Sequence, residues 1–179
     1  MKPVSLLLTA LLLGVATPVA ADVSRSDASS FELAQRIVVK ADQKASFQAL
    51  LQPQRWWSKA HTGSGNSRNL SLDAHAGGCW CERWSGGEVE HARVLSIKRD
   101  SLLRLRGAFG PLQAMAVNGV LEFQLIPGKD GTQIDLGYRV TGADSSRLDA
   151  IAAVTDKMFA EQMTALKALL DAQGQAARK

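Results

Sequence analysis

Residues 148–170 read LDAIAAVTDKMFAEQMTALKALL, and the spacing of apolar side chains in this stretch decides the fold. Leu148, Ile151, Met158, Phe159, Met163, Leu166, Leu169 and Leu170 recur at intervals of three and four, with Thr155 filling one position, so they share one face of an α-helix. Asp144, Ser145 and Ser146 are candidate N-caps, Asp149 sets a carboxylate in the first turn, and Gly174 with Arg178 and Lys179 marks the expected end. A helix of about 22 residues rising 1.5 Å each spans ~33 Å, the width of a small domain. An apolar face of that length needs a wide partner.

The middle of the chain supplies it as strands. Six segments bounded by turn residues are predicted at 70–73, 78–84, 88–98, 101–106, 116–126 and 132–141. In the last two, Val117, Leu121, Phe123 and Leu125 alternate with Asn118, Glu122 and Gln124, and Ile134, Leu136, Tyr138 and Val140 alternate with Gln133, Asp135 and Arg139. Such strands have one wet and one dry face, the pattern of an antiparallel sheet. Pro127-Gly128-Lys129-Asp130-Gly131 is the hairpin between them.

Ahead of these, Phe31 to Lys40 alternates as a first strand, and Ala41 to Leu51 follows a helical period with Asp42 as N-cap and Pro53 as its stop. Gln54 to Lys59, with Trp56 and Trp57, is predicted as a second short helix, and His61 to Asn69 as loop. The chain opens with Lys2, an apolar run from Val4 to Ala16 and small residues to Ala21, the pattern of an export signal cut after Ala21. The run is shorter than the roughly 18 residues a membrane span requires. The expected organisation is a signal segment at 1–21, a disordered tail at 22–30, one domain at 31–172 and a disordered tail at 173–179, in a periplasmic or secreted protein.

Removing Met1 to Ala21 deletes one lysine and no acid, leaving 20 basic against 17 acidic residues. That excess is too small to argue for a nucleic-acid partner. A remaining chain of this length buries enough surface to fold without a disulfide framework. Cys79 and Cys81 are one residue apart on a predicted strand, at the edge of bridging distance, and are read as thiols or a local bridge. With His61, His75 and His91 they include metal-ligand types, but none of the spacings that hold zinc appears, so no metal or cofactor is expected.

Strand, two helices, six strands and a long helix is the order of a curved antiparallel sheet of about seven strands wrapped around its last helix, an α+β architecture. Trp56-Trp57, Gly77-Gly78 opening a strand that reaches Glu82, Gly86 followed by His91-Ala92-Arg93-Val94, Leu102 to Arg106 with Gly110-Pro111, and Thr132 before the last strand carry a resemblance. The sequence resembles the helix-grip fold of the START-like, or Bet v 1-like, superfamily (SRPBCC), and within it proteins related to the activator of Hsp90 ATPase and to polyketide cyclases. The resemblance implies a cavity between sheet and helix that holds an apolar small molecule. It carries over no catalytic residue.

A two-residue turn at Gly86-Gly87 would pair Trp84 with Val89, Glu82 with His91 and Trp80 with Arg93 on one face. On the concave side, these residues would form an aromatic cavity with a Glu82-His91-Arg93 cluster; on the outer side, the charges would simply be solvated. Tyr138 is a further candidate from the last strand, Trp57 and Phe109 belong to segments that could close the mouth, and Met158 is a candidate from the apolar face of the helix. The sequence is read as an exported protein binding a small hydrophobic or amphipathic ligand through Trp80, Glu82, Trp84, His91, Arg93, Tyr138, Trp57, Phe109 and Met158, without stable membrane insertion. The alternatives are proton-transfer catalysis of the cyclase or isomerase type by His91 with Glu82, or a module for a protein partner.

Overall fold

The computed structural model describes residues 20–176. Its elements are β1 (Ala20–Asp27), β2 (Ser30–Val39), α1 (Gln43–Leu50), β3 (Leu70–Leu72), β4 (Cys79–Trp84), β5 (Gly87–Lys98), β6 (Leu102–Arg106), β7 (Asn118–Gly128), β8 (Gly131–Thr141) and α2 (Asp149–Ala176). The strands form one antiparallel sheet in the order β1-β2-β8-β7-β6-β5-β4-β3, curved and unclosed, with α2 across it.

Alternation puts buried side chains in rows that run across the strands. Leu33, Tyr138, Leu121, Leu105 and Val94 are successive partners from β2 to β5, and Gln35, Leu136, Phe123 and Leu103 form the next row. Against them α2 sets Ala152, Thr155, Phe159, Met163, Leu166 and Leu170, all buried. Gln35 ties β2 to the helix through its Nε2, which donates to Asp156 O and Oδ1 at 2.8 Å. In α1, Asp42 Oδ1 accepts from Ala45 N at 2.8 Å, the expected N-cap, and Phe47, Ala49 and Leu50 are buried.

Three expectations change. The segment expected as a disordered tail, 22–30, instead runs through β1 into β2 and adds an eighth strand at the sheet edge. Between Val23 and Ala28 it has no apolar residue, as an edge strand paired on one side only permits. Its turn is held by Asp27, whose carboxylate accepts from the Ser29 side chain and amide and the Ser30 side chain, bonds that hold its pKa down at about 2. The expected signal segment otherwise lies outside the described residues.

The second change is that α2 continues to Ala176, through Gly174 and into the stretch expected to be disordered from 173. Gly174 lies against the backbone of Lys40 and Ala41, where a Cβ would come within 2.7 Å of Lys40 C. The glycine is a site of close approach, not the end of the helix. Third, the expected helix at 54–59 is a pair of short 3-10 turns, Pro53–Arg55 and Lys59–His61. Among the described residues no helix is long and apolar enough to cross a membrane.

Candidate functional site

The hairpin β4–β5 turns at Ser85-Gly86, one residue earlier than the glycine pair suggests, so Trp84 faces Gly87, Arg83 faces Glu88 and Glu82 faces Val89. A bulge follows: Cys81 faces Glu90 whereas Trp80 faces Ala92, leaving His91 as the extra residue. Because of it, His91 and Ala92 both turn toward the helix and Arg93 turns out. Arg93 pairs with Glu90 on the outer face and donates to Gly77 O at 3.2 Å. Trp84 is exposed near the hairpin tip. The expected single face is therefore split: Trp80, Glu82 and His91 face inward, Trp84 sits at the exposed tip of that face with its ring beside Gly63, and Arg93 turns to the other side. A second bulge at Leu95 leaves that residue exposed as well. Cys79 and Cys81 are joined as a disulfide on β4, their Cα atoms 5.3 Å apart.

Glu82 is fully buried and its carboxylate is a strut. Oε1 accepts from Ser64 N at 2.7 Å; Oε2 accepts from Gly63 N at 2.9 Å and lies 3.0 Å from His91 Nε2. Burial pushes this carboxyl up, but the bonds from Ser64, Gly63 and His91 outweigh it and hold the group below its ordinary value. The loop at 62–66 is thereby fastened to the sheet by an ionised side chain.

The space between sheet and helix is filled by rings. Phe109 lies 5.7 Å from Trp57, 5.4 Å from Trp80, 5.9 Å from Tyr138 and 5.7 Å from Phe159, and stacks on His91 at 6.2 Å. It is a plug. Tyr138 fixes it from behind: the phenol donates to Gly107 O at 3.0 Å and accepts from Phe109 N at 3.4 Å. Burial pushes that phenol well above its ordinary value, so it stays protonated. Gly119 makes the reach possible, since a Cβ there would lie 2.6 Å from the Tyr138 oxygen. The Tyr138 hydroxyl is a structural hydrogen-bonding group, and Trp80 and Tyr138 belong to the packed core rather than to an open wall.

Outside the plug, a groove of about 570 Å³ opens between α2 and two loops. The loop 57–63 forms one wall and 109–113 another; Val89 and His91 form the floor, and Ile151, Val154 and Met158 of α2 the apolar side. Of the nine residues read from the sequence, Trp57, His91, Phe109 and Met158 line this groove; Trp80, Glu82 and Tyr138 stand behind it, and Trp84 and Arg93 lie elsewhere.

Sequence reasoning missed Gln162 and Val154 and weighed His61 only as a metal ligand. Gln162 is buried on α2, where its Oε1 accepts from Ser58 N at 2.7 Å and its Nε2 donates to Met158 O at 3.2 Å and to His61 Nδ1 at 2.7 Å. An amide between Phe159 and Leu166, in the middle of an otherwise apolar stripe, was the available signal. Among the described residues no group of three or more His, Cys, Asp or Glu is placed to hold a metal ion.

No protein-family model matches the sequence, and no curated protein matches it. Solved structures do. A protein of Arthrobacter aurescens is 15% identical with a TM-score of 0.58, the match covering 86% of this chain and 92% of that one. A protein of Rhodobacter sphaeroides is 20% identical with a TM-score of 0.55, covering 85% and 99%. The Aha1 dimer of Colwellia psychrerythraea is 18% identical with a TM-score of 0.51, covering 78% and 96%. At these identities the likeness speaks for the fold alone. With its unclosed eight-stranded sheet gripping α2, the chain has the helix-grip fold of START-like proteins, the fold it shares with the Aha1 protein of Colwellia psychrerythraea.

Proposed function

We propose that the groove between α2 and the loops 57–63 and 109–113 binds a small apolar or amphipathic molecule. One observation carries this reading: the apolar stripe of α2 is wider than the core it covers. Ile151 and Met158 are half-buried and Val154 is 60% exposed, and all three flank the groove beside Trp57 and Phe109. Apolar surface of this kind, concave and rimmed by His61, Thr62, Lys157 and Glu161, suits a ligand with an apolar body and a polar end. Each 100 Å² of apolar area removed from water contributes about 2.5 kcal/mol.

The expected export signal and the Cys79–Cys81 disulfide support a working place outside the cytoplasm, where such bridges persist. The Glu82–His91 pair favours one second reading, proton transfer by His91 on a bound carbonyl compound, with Glu82 as orienting partner.

The test is a titration with the neutral apolar probe N-phenyl-1-naphthylamine, followed by methyl and aromatic NMR shifts. Saturable binding that moves Ile151, Val154 and Met158 and is abolished by Met158→Arg supports the reading; shifts confined to the outer sheet face, or no binding, overturn it. Turnover that is lost in His91→Ala while probe binding survives would establish the second reading.

A further inference from the structure

We infer that His61 is a protonation-controlled latch on the wall of this groove, so that mild acid opens it. The inference rests on the binding reading for its purpose and on hydrogen-bond geometry for its mechanism.

Beyond Trp57, whose ring is packed in the core, the loop 58–64 is fastened to the rest of the molecule at two points. At its far end Gly63 N and Ser64 N donate to Glu82. At its near end Gln162 reaches up from α2 and holds Ser58 and His61 together. Between them the segment carries its own bonds: His61 N donates to Ser58 O at 3.0 Å, Trp57 Nε1 to His61 O at 3.0 Å, and Thr62 Oγ1 to Lys59 O at 2.8 Å. The segment 58–62 therefore moves with His61 or not at all.

The direction of the near bonds is fixed by chemistry. Ser58 N is a backbone amide and only donates, so the Gln162 atom 2.7 Å away is its carbonyl oxygen. The other end of the Gln162 side chain is then its NH2 group, which faces Met158 O and His61 Nδ1. Nδ1 must accept, and the neutral imidazole carries its proton on Nε2, toward Glu161 Oε2 at 3.7 Å. Protonation puts a hydrogen on Nδ1 and sets it against the Gln162 NH2 group. Flipping the amide relieves that clash only by turning NH2 onto Ser58 N. The charged N–H is the stronger donor and takes the amide oxygen, so the bond from Ser58 N is the one lost.

The charged surroundings of the ring are mixed. Glu161 and Lys157 of α2 flank the ring, and His91 lies across the groove with buried Glu82 behind it. Glu82 remains ionised far below the range in which an imidazole titrates. The loop thus releases at Ser58 while Gly63–Ser64 stays attached, and the groove wall loosens at its near end.

Three measurements on the ligand-free protein test this. Long-range proton–nitrogen NMR should find neutral His61 as the Nε2–H tautomer. Exchange of the Ser58 amide, corrected for the intrinsic pH dependence, should rise about tenfold across the His61 titration, the change expected for one hydrogen bond of ordinary strength. In Gln162→Glu the carboxylate accepts from both Ser58 N and a protonated Nδ1, so the rise should disappear or reverse; in His61→Gln, which cannot titrate, it should also be absent.

An Nδ1–H tautomer, Ser58 protection unchanged across the titration, or a Gln162→Glu protein that opens as wild type does, would each overturn the latch. Release of bound N-phenyl-1-naphthylamine should speed up with the same titration in wild type and not in Gln162→Glu. A protein that binds the probe with pH-independent Ser58 exchange refutes the latch alone, and one with the expected exchange that binds no probe refutes the binding reading alone.

Discussion

Replacing Glu82 by glutamine removes a charge and almost nothing else, which makes it the sharpest probe of the buried strut. The carboxylate has three donors: Ser64 N on one oxygen, Gly63 N and His91 Nε2 on the other. An amide keeps a single oxygen, so in either orientation its NH2 group confronts a backbone N–H. Hydrogen bonds to a charged acceptor are worth roughly 1.5–3 kcal/mol each, and an unmet buried donor costs a similar amount, so Glu82→Gln should destabilise by about 2–4 kcal/mol at neutral pH. For a domain of this size that lowers Tm by roughly 5–15 °C.

The pH dependence has a definite sign. Burial raises this carboxyl, but its hydrogen bonds hold it below the ordinary value in the folded protein. Its stabilisation is therefore complete above the unfolded carboxylate value of about 4.3 and is lost as pH falls from there through the folded value. Urea denaturation followed by tryptophan fluorescence should show a gap between wild type and Glu82→Gln that is constant near neutrality and narrows below about pH 4. A variant as stable as wild type at neutral pH, or a gap that widens in acid, would refute the strut.

Removing the plug should separate stability from binding: Phe109→Ala should cost about 3–5 kcal/mol in urea denaturation and yet bind N-phenyl-1-naphthylamine more tightly, because the groove then extends to Trp80 and Tyr138. Tyr138→Phe leaves Gly107 O without its donor and should cost about 1–3 kcal/mol, with faster exchange at the Phe109 amide by hydrogen–deuterium exchange. Arg93→Ala should leave probe affinity unchanged in the same titration, since Arg93 pairs with Glu90 on the outer face; a large loss there would restore the unbulged register.

The fold was legible because its determinants are periodic. Strands β2, β6, β7 and β8 and helix α2 each carry a two- or 3.6-residue pattern that survives folding, and the helix-grip order follows from their sequence. β1 carries no such pattern, since an edge strand needs no apolar face, and its sequence therefore reads as a tail. The site was less legible for a specific reason. Its register depends on which two residues of Ser85-Gly86-Gly87 make the turn and on a bulge at His91, and the sequence of the hairpin marks neither. Glu82 and His91 stayed together because the turn shift preserved their face, whereas Arg93, beyond the bulge, was carried to the other side. Gln162 joins residues 104 positions apart, which no local pattern encodes.

The measurement that tests the binding reading most directly is native mass spectrometry of the protein recovered from its producing cell, with organic extraction of whatever dissociates. Wild type should carry a reproducible non-covalent apolar species that Met158→Arg lacks while remaining folded. Repeated recovery of wild type at the mass of the bare chain, or an adduct equally present in Met158→Arg, would contradict the account.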